Sequence, residues 1–465
     1  MRYTMKHTYY FRRDDYKSLL RLTETIIELV IFSLIYYRIW DHGYDISYFD
    51  YRGKYVLMGL YAFILNLFFQ YSDCTKFSQL HRTDLIIGQF ISLMLTNFIT
   101  YFQLSLVANR MLSLMPMLSL LGIECAIAAV LVLLYTGLYY KLYAPHDMLL
   151  IYGDERGMRI KNKLDTRMDK YRISGMISAE AGMDAICAEI GRYDAVVLSD
   201  LPAPMRNDVL KYCYDKNVRV YLSPKLTDII LRGAKNITLF DTPLLLVKGS
   251  GLTFLQRFIK RGMDIVLGMI GLVFAAPLMI LVAAAIKLED GGPVFFKQER
   301  LTIHGREFQI LKFRSMVTDA EKYSGAILAA DRDPRITKVG RFIRATRLDE
   351  LPQIINIIKG DMSIVGPRPE RKVIAEEYYR ETPEFAYRLK VRAGLTGYAQ
   401  IYGKYNTVPY DKLRLDLMYI NNYSVLLDIR LIVLTLRILF SKDSTEGVAV
   451  SEKHQKQEES TENRI

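Results

Sequence analysis

Apolar residues crowd the first 140 positions of this chain, and that crowding limits what its N-terminal third can become. Hydrocarbon offers no hydrogen bonds, so backbone immersed in it must pair internally, as a helix or a closed barrel. The runs from Tyr55 to Gln70, Leu85 to Val107 and Met117 to Tyr140 each approach the roughly 20 residues that carry a helix across. A fourth run, residues 19–39, is the weakest because Arg21, Glu24, Glu28 and Arg38 interrupt it. Four transmembrane helices over residues 19–140 are the expectation. The tail 1–18 carries Arg2, Lys6, Arg12, Arg13 and Lys17, so the positive-inside rule keeps it cytoplasmic. The first loop, with Asp41, Asp45 and Asp50, is then outside, and four crossings bring the chain back in at Lys141. A cleaved signal peptide is not expected, since no A-x-A site follows the first apolar run.

Charge narrows the partners. The chain is 51% hydrophobic yet 24% charged, which fits neither a purely soluble enzyme nor a many-span transporter. A net charge of +12 suits anionic partners such as lipid headgroups and pyrophosphates. Nucleic acid is not expected, because no interleaved aromatic and basic platform is present. Cys74, Cys125, Cys187 and Cys213 are scattered without a CxxC, and the six histidines form no HExxH. A disulfide framework and a zinc site are both disfavoured.

Residues 141–248 change character. Short β-rich runs (Met148–Tyr152, Arg172–Ile177, Ala195–Leu198, Val218–Leu222, Ile237–Phe240) alternate with helical stretches, the pattern of a small Rossmann-like parallel α/β domain. Its first turn has glycines only at Gly153 and Gly157, whereas a dinucleotide site wants three at GxGxxG spacing. A structural, regulatory or oligomerising role is expected for it. Residues 249–256 read as a linker to the C-terminal domain, 257–440.

The run 265–286 is long enough to span but carries Pro277 near its middle, which removes a backbone hydrogen bond and kinks a helix. Basic residues precede it and mixed charges follow, so charge chooses no side. From Ile265 to Ala276 a helix rises about 18 Å, roughly half a bilayer. A re-entrant membrane helix bending at Ala275–Ala276–Pro277 is expected, against a fifth span with a kink. Further on, Arg430 and Arg437 stand seven residues apart among aliphatic residues, fitting either an interfacial helix or one packed in the core. Residues 441–465 are polar and read as a disordered tail.

Asp349 and Glu350 lie at the mouth of an apolar helical run, Leu351 to Ile358. Adjacent carboxylates repel, so one keeps its proton or a cation enters. Arg341, Arg344, Arg347, Arg368 and Arg371 bracket the pair and could hold phosphates against it. Carboxylates, guanidinium groups and Mg²⁺ are the equipment of phosphoryl transfer. Pro352 belongs in a first helical turn, which makes Asp349 the expected N-cap.

Residues 255–439 resemble the bacterial sugar transferase family, the monotopic polyprenyl-phosphate phosphoglycosyl transferases. The resemblance runs through "KRGMDIVLGMIGLVFAAPLMILVAAAIKLEDGGPVFFKQER", "FQILKFRSM", "RATRLDELPQIINIIKGDMSIVGPRPE" and "VRAGLTGYAQIYGK" in order. The spans and α/β domain in front resemble the large members. The resemblance implies a multi-pass protein of the inner (plasma) membrane, its α-rich catalytic domain on the cytoplasmic face. It implies transfer of a sugar 1-phosphate from a UDP-sugar to undecaprenyl phosphate, releasing UMP and starting a surface polysaccharide. By the same resemblance Asp349 is the nucleophile, forming an aspartyl phosphosugar, and Glu350 the Mg²⁺ ligand. Arg344 and the stiff turn Gly366, Pro367, Arg368 and Pro369 would clamp phosphate. Lys312 and Arg314, alternating on a strand, are donor ligands or a solvated basic edge. Arg392, Gly394 and Thr396 fall near the nucleotide, and Asp416 matches a family acid with a structural role. A homodimer is the expected oligomer.

Three positions depart from the family pattern: Ala276 where serine is usual, Ala393 where proline is common, and Lys404 in place of arginine. None touches the acid pair. A non-catalytic membrane scaffold would be marked by loss of Asp349, Glu350 or Arg368, and all are present. A membrane-tethered NAD-dependent epimerase or dehydratase is opposed by the missing third glycine.

Overall fold

The computed structural model describes residues 2–44, 51–76, 80–143, 145–168, 170–249, 251–318, 333, 335–403 and 407–439. Asp45, Asp50, Lys404 and the expected tail 441–465 lie outside them. The chain divides into two compact units after Lys225, earlier than the boundary at 248 expected from composition.

The first unit opens with four helices, α1 (Arg2–Gly43), α2 (Tyr51–Tyr71), α3 (Arg82–Val107) and α4 (Met115–Leu142). Gly53–Tyr71, Arg82–Val107 and Met115–Leu142 are long and apolar enough to cross a membrane. The charged α1 is not among such helices, yet it packs into the same bundle. Phe32, Tyr36 and Trp40 are buried on it, and Tyr36 stacks on Tyr61 of α2 with ring centroids 4.3 Å apart. Glu24 and Glu28, which weaken its hydropathy, point inward and are wholly buried. The basic stretch near the N-terminus is the start of this helix.

A parallel sheet follows: β1 (His146–Tyr152), α5 (Glu155–Asp165), β2 (Tyr171–Ser178), α6 (Met183–Ile190), β3 (Ala195–Ser199), α7 (Ala203–Asp215) and β4 (Arg219–Leu222). The strand order is β2-β1-β3-β4. The central strands β1 and β3 are almost continuously apolar and buried on both faces, as strands covered by crossover helices must be. The two glycines of the first turn serve packing. A Cβ on Gly153 would lie 2.2 Å from the Asp200 carbonyl oxygen, and one on Gly157 2.7 Å from Tyr152 Cβ. The fifth expected strand does not join this sheet. Its residues form an antiparallel hairpin in the second unit, β5 (Lys235–Leu239) with β6 (Thr242–Leu246), because a strand followed by a two-residue turn pairs with its neighbour first.

The second unit begins with α8 (Leu226–Arg232) and that hairpin. It continues through α9 (Phe254–Asp290), β7 (Phe295–Leu301), β8 (Glu307–Phe313), α10 (Lys338–Ala345), α11 (Gln353–Lys359), β9 (Ser363–Val365), α12 (Lys372–Glu381), β10 (Gly394–Thr396), α13 (Tyr398–Tyr402), α14 (Pro409–Asn421) and α15 (Val425–Leu439). β7 and β8 form an antiparallel pair, and β9 and β10 a short parallel one. α15 is a core helix, not an interfacial one. Leu431, Val433 and Leu434 are buried, and Asp428 receives the buried Lys260 ammonium at 2.6 Å.

α9 is one helix of 37 residues with Pro277 inside it, so a bend at Ala275–Ala276–Pro277 is a kink within continuous helix, and α9 is, like α2 to α4, long and apolar enough to cross a membrane. A proline removes one ladder bond without forcing the chain out of helix. Both ends of α9 are fastened to the same unit. Near its start Arg261 donates to the Ile357 and Ile358 carbonyls at 2.6 Å each, and Asp264 accepts from Ser363 Oγ and the Ile364 amide. Near its end Glu289 accepts from the Lys338 amide at 2.8 Å and Asp290 pairs with Arg314. Between them Val266, Ile270, Val273, Phe274, Ile280 and Leu281 are exposed.

Candidate active site

α10 ends at Ala345, and two residues later Arg347 takes a left-handed backbone (φ 56°, ψ 18°), uncommon for a residue with a side chain. That reversal feeds a single 3-10 turn, Leu348–Glu350. Asp349 and Glu350 sit on this turn, so Asp349 does not cap α11. The Glu350 and Leu351 amides bond back to Arg347 and Leu348, and Pro352 takes the N-cap position with no side-chain cap. Proline has no N–H to give, so the α-helical ladder starts only beyond it. The field at the acid pair therefore comes from basic side chains.

Three elements bring those side chains in. Lys312 on β8 donates through Nζ to Glu350 Oε1 at 2.7 Å, and Arg368, in the loop after β9, donates through Nη2 to the same oxygen at 3.0 Å. Burial works against a charge on Glu350, but Arg368 and Lys312 outweigh it and hold the carboxyl well below the usual carboxylate range. Asp349 goes the other way. Burial pushes its carboxyl up, Lys312 opposes this, and the neighbouring Glu350 charge adds to it. Arg344, on the last turn of α10, also favours the ionised form. Among the described residues the Asp349 side chain makes no hydrogen bond or ion pair. One carboxylate is spent on two cations and its neighbour is left half-buried and unengaged.

The loop that presents Arg368 is built by close backbone approach. β9 and β10 run so near each other that a Cβ on Gly394 would lie 2.1 Å from the Gly366 nitrogen. The Gly394 amide donates to the Pro367 carbonyl at 2.9 Å, and the Gly366 amide to that of Thr396 at 2.8 Å. Below the loop, Arg388 donates to the Arg368 carbonyl at 2.9 Å and pairs with the fully buried Asp416 at 2.8 Å. Arg300 donates to the Pro369 carbonyl at 3.1 Å, while Glu370 sits 3.4 Å from both Arg388 and Lys412.

Lys312, Arg344, Asp349, Glu350 and Arg368 thus form one electrostatic group, and Gly366, Pro367, Pro369 and Gly394 support it. Arg314 is not part of it: its guanidinium is buried against Asp290 and donates to Thr318 Oγ1 at 2.7 Å. Thr396 shares a hydrogen bond with Thr435 at 2.7 Å. The charge neighbours of Arg392 are Arg261, Arg306, Arg257 and Asp264. Sequence reading missed Arg300, Glu370, Arg388 and Lys412. Arg300 and Glu370 stand in the quoted motifs, but no spacing signals a contact across 69 residues such as that of Arg300 with Pro369.

Among the described residues no group of three or more His, Cys, Asp or Glu side chains could cage a metal. The Asp349 carboxylate and the Glu350 oxygen not taken by Lys312 and Arg368 still fit Mg²⁺, which takes one or two carboxylates and fills its octahedron with waters and phosphate oxygens.

The sequence model of the bacterial sugar transferase family matches residues 255–442. A UDP-N-acetylgalactosamine-undecaprenyl-phosphate N-acetylgalactosaminephosphotransferase of Aeromonas hydrophila is 39% identical over 262 residues, 54% of this chain and 60% of that protein. The UDP-glucose:undecaprenyl-phosphate glucose-1-phosphate transferase of Escherichia coli K12 is 41% identical over 211 residues, 44% of this chain and 43% of that protein. A Bacillus subtilis strain 168 protein, named for undecaprenyl-phosphate N-acetylgalactosaminyl 1-phosphate transfer, is 51% identical over 131 residues, 28% of this chain and 73% of that protein. The chain spans about half the length of the first two.

Proposed function

The chain belongs to the bacterial sugar transferase family, and from that premise we propose that it moves a sugar 1-phosphate from a UDP-sugar to undecaprenyl phosphate. UMP leaves, and the polyprenyl diphosphate sugar initiates a surface polysaccharide at the inner face of the plasma membrane. The observation that carries this reading is the division of labour in the acid pair. Lys312 and Arg368 both engage Oε1 of Glu350 and leave its second oxygen open, while the Asp349 carboxylate is unengaged in the same positive field.

A free Asp349 oxygen attacks the sugar-side phosphorus. The bond to the UMP oxygen breaks and its electron pair leaves with UMP. An oxygen of undecaprenyl phosphate then attacks the same phosphorus, the aspartyl P–O bond breaks, and the carboxylate is restored. Both nucleophiles are anions, so neither step needs a general base. Repulsion between anions is the main barrier, and Lys312, Arg344 and Arg368 are placed to lower it. Mg²⁺ held by Glu350 with Asp349 would supply further charge neutralisation at the phosphates.

Asp349 must be ionised to attack, and burial already disfavours that form. Lys312→Met removes the largest opposing influence, so the acid limb of the kcat/KM profile should move to higher pH. An unmoved limb with reduced rate would mean Lys312 binds donor without tuning the nucleophile. For stability the sign is opposite at Glu350. Its depressed carboxyl contributes at neutral pH, and that contribution is lost as pH falls through its folded value.

α9 is the membrane element of this reading. Its exposed apolar middle faces hydrocarbon while both ends remain with one globular unit, supporting entry and return on a single side. Introduced thiols at the exposed positions 257 and 288 should both react with an impermeant reagent from the cytoplasmic side. Labelling from opposite sides would make α9 a full span.

A further inference from the structure

Four consecutive carbonyls of the turn that carries Arg368 are each taken by a donor from elsewhere in the second unit. The Gly394 amide holds that of Pro367 at 2.9 Å, and Arg388 Nη2 holds that of Arg368 at 2.9 Å. Arg300 Nη1 holds that of Pro369 at 3.1 Å, and the Leu301 amide holds that of Glu370 at 3.1 Å. Pro367 and Pro369 have fixed φ, and each restricts the residue before it. The peptide planes of the turn can then rotate chiefly through ψ, and each carbonyl bond fixes one of them.

Arg300 differs from the other donors. It is half-buried on β7, its Nη2 donates to Gln298 Oε1 at 2.6 Å, and its Nε is buried without a hydrogen-bond partner among the described residues. Among the same residues no carboxylate lies within ion-pair distance of its guanidinium. Burial and the charges of Arg371 and Arg368 pull its pKa down to about 10, while Glu370 and Glu350 oppose this. A neutral donor would satisfy the Pro369 carbonyl without that desolvation. A cation in its place makes the stronger bond, and its charge lies within electrostatic reach of both Arg368 and Glu350.

We infer that Arg300 is a positioning residue for the transfer: by gripping the Pro369 carbonyl it fixes the exit of the turn, and so the aim of the Arg368 guanidinium at Glu350. This role rests on the acid pair being the site of transfer. Arg300 acts through Arg368; among the described residues it makes no hydrogen bond or ion pair with Asp349 or Glu350. Unlike Arg388, which pairs with Asp416, it leaves no buried acid stranded when removed. Its effect on turnover therefore separates from its effect on folding.

UMP release, thermal unfolding and hydrogen exchange across residues 366–371, measured on the full-length protein in nanodiscs, test this. Arg300→Met should lower kcat by about 30-fold or more while KM for the UDP-sugar changes less than about threefold. Its unfolding midpoint should stay within about 4 °C of the parent's, and exchange should quicken at the turn alone. Arg300→Gln, which also sheds the cation, should behave alike should the methionine variant fold poorly, and Arg300→Lys should recover most of the loss. In an Arg368→Met background, Arg300→Met should cost less than about threefold more. Turnover within about threefold of the parent's in both uncharged variants would overturn the proposal, as would a full loss that persists without Arg368. A parent that releases no UMP from any UDP-sugar would remove the transfer itself. Exchange then decides alone: quickened exchange supports the grip on the turn, and unchanged exchange overturns it.

Discussion

Asp349→Asn is expected to lower UMP release from a UDP-sugar, in the presence of Mg²⁺ and undecaprenyl phosphate, by roughly 10⁴-fold or more. The amide keeps the shape of the side chain but has no anionic oxygen to offer phosphorus. Burial disfavours the ionised carboxyl in the folded protein, so this variant should unfold no earlier than its parent and should still purify with membranes. Loss of turnover would then not be loss of fold. Enzyme given donor but no lipid should carry a phosphosugar on residue 349, visible as a mass increment on the peptide containing it. Near-normal turnover in the variant would remove Asp349 from the chemistry. An adduct on another residue would redirect the assignment.

The largest effect on stability is expected at Arg388, well away from the reacting atoms. Arg388 and Asp416 are 3% and 1% exposed and face each other at 2.8 Å. Burial pushes the Asp416 carboxyl up and Arg388 opposes this. Arg388→Met leaves a buried acid without its partner, at a cost of about 3–5 kcal/mol. It also frees the Arg368 carbonyl, so activity should fall with stability. Replacing both partners, Arg388→Met with Asp416→Leu, should recover much of the loss, because two apolar groups remove the desolvation penalty along with the attraction. Unfolding midpoints of the parent, the single and the double variants decide the matter. A single variant within about 1 kcal/mol of the parent would show that the pair contributes little.

Some of this architecture could be read without coordinates. The apolar runs behind α2, α3 and α4 are long and nearly free of charge, and hydrocarbon leaves such segments almost no alternative to helix. The alternation behind β1 to β4 is equally local, since each strand and crossover announces itself by its own pattern. The acid pair and its flanking arginines were visible because they are neighbours in the chain.

Other features were decided only by packing. Ile237–Phe240 has strand composition whichever sheet it joins, and its hairpin partner Thr242–Leu246 settled the matter. Asp349 looked like a helix cap because the pattern ahead of Pro352 permits one; the left-handed turn at Arg347 placed it elsewhere. Lys312 and Arg314 are two residues apart and chemically alike, yet one reaches Glu350 and the other Asp290. The sequence by itself determined which segments become helix or strand and which residue types surround the acid pair, because propensity, hydropathy and charge act over a few positions. Which basic group meets which carboxylate was left to the tertiary structure, because ion pairs such as Lys260–Asp428 and Arg368–Glu350 join residues far apart in the chain, and only the closed fold fixes those distances.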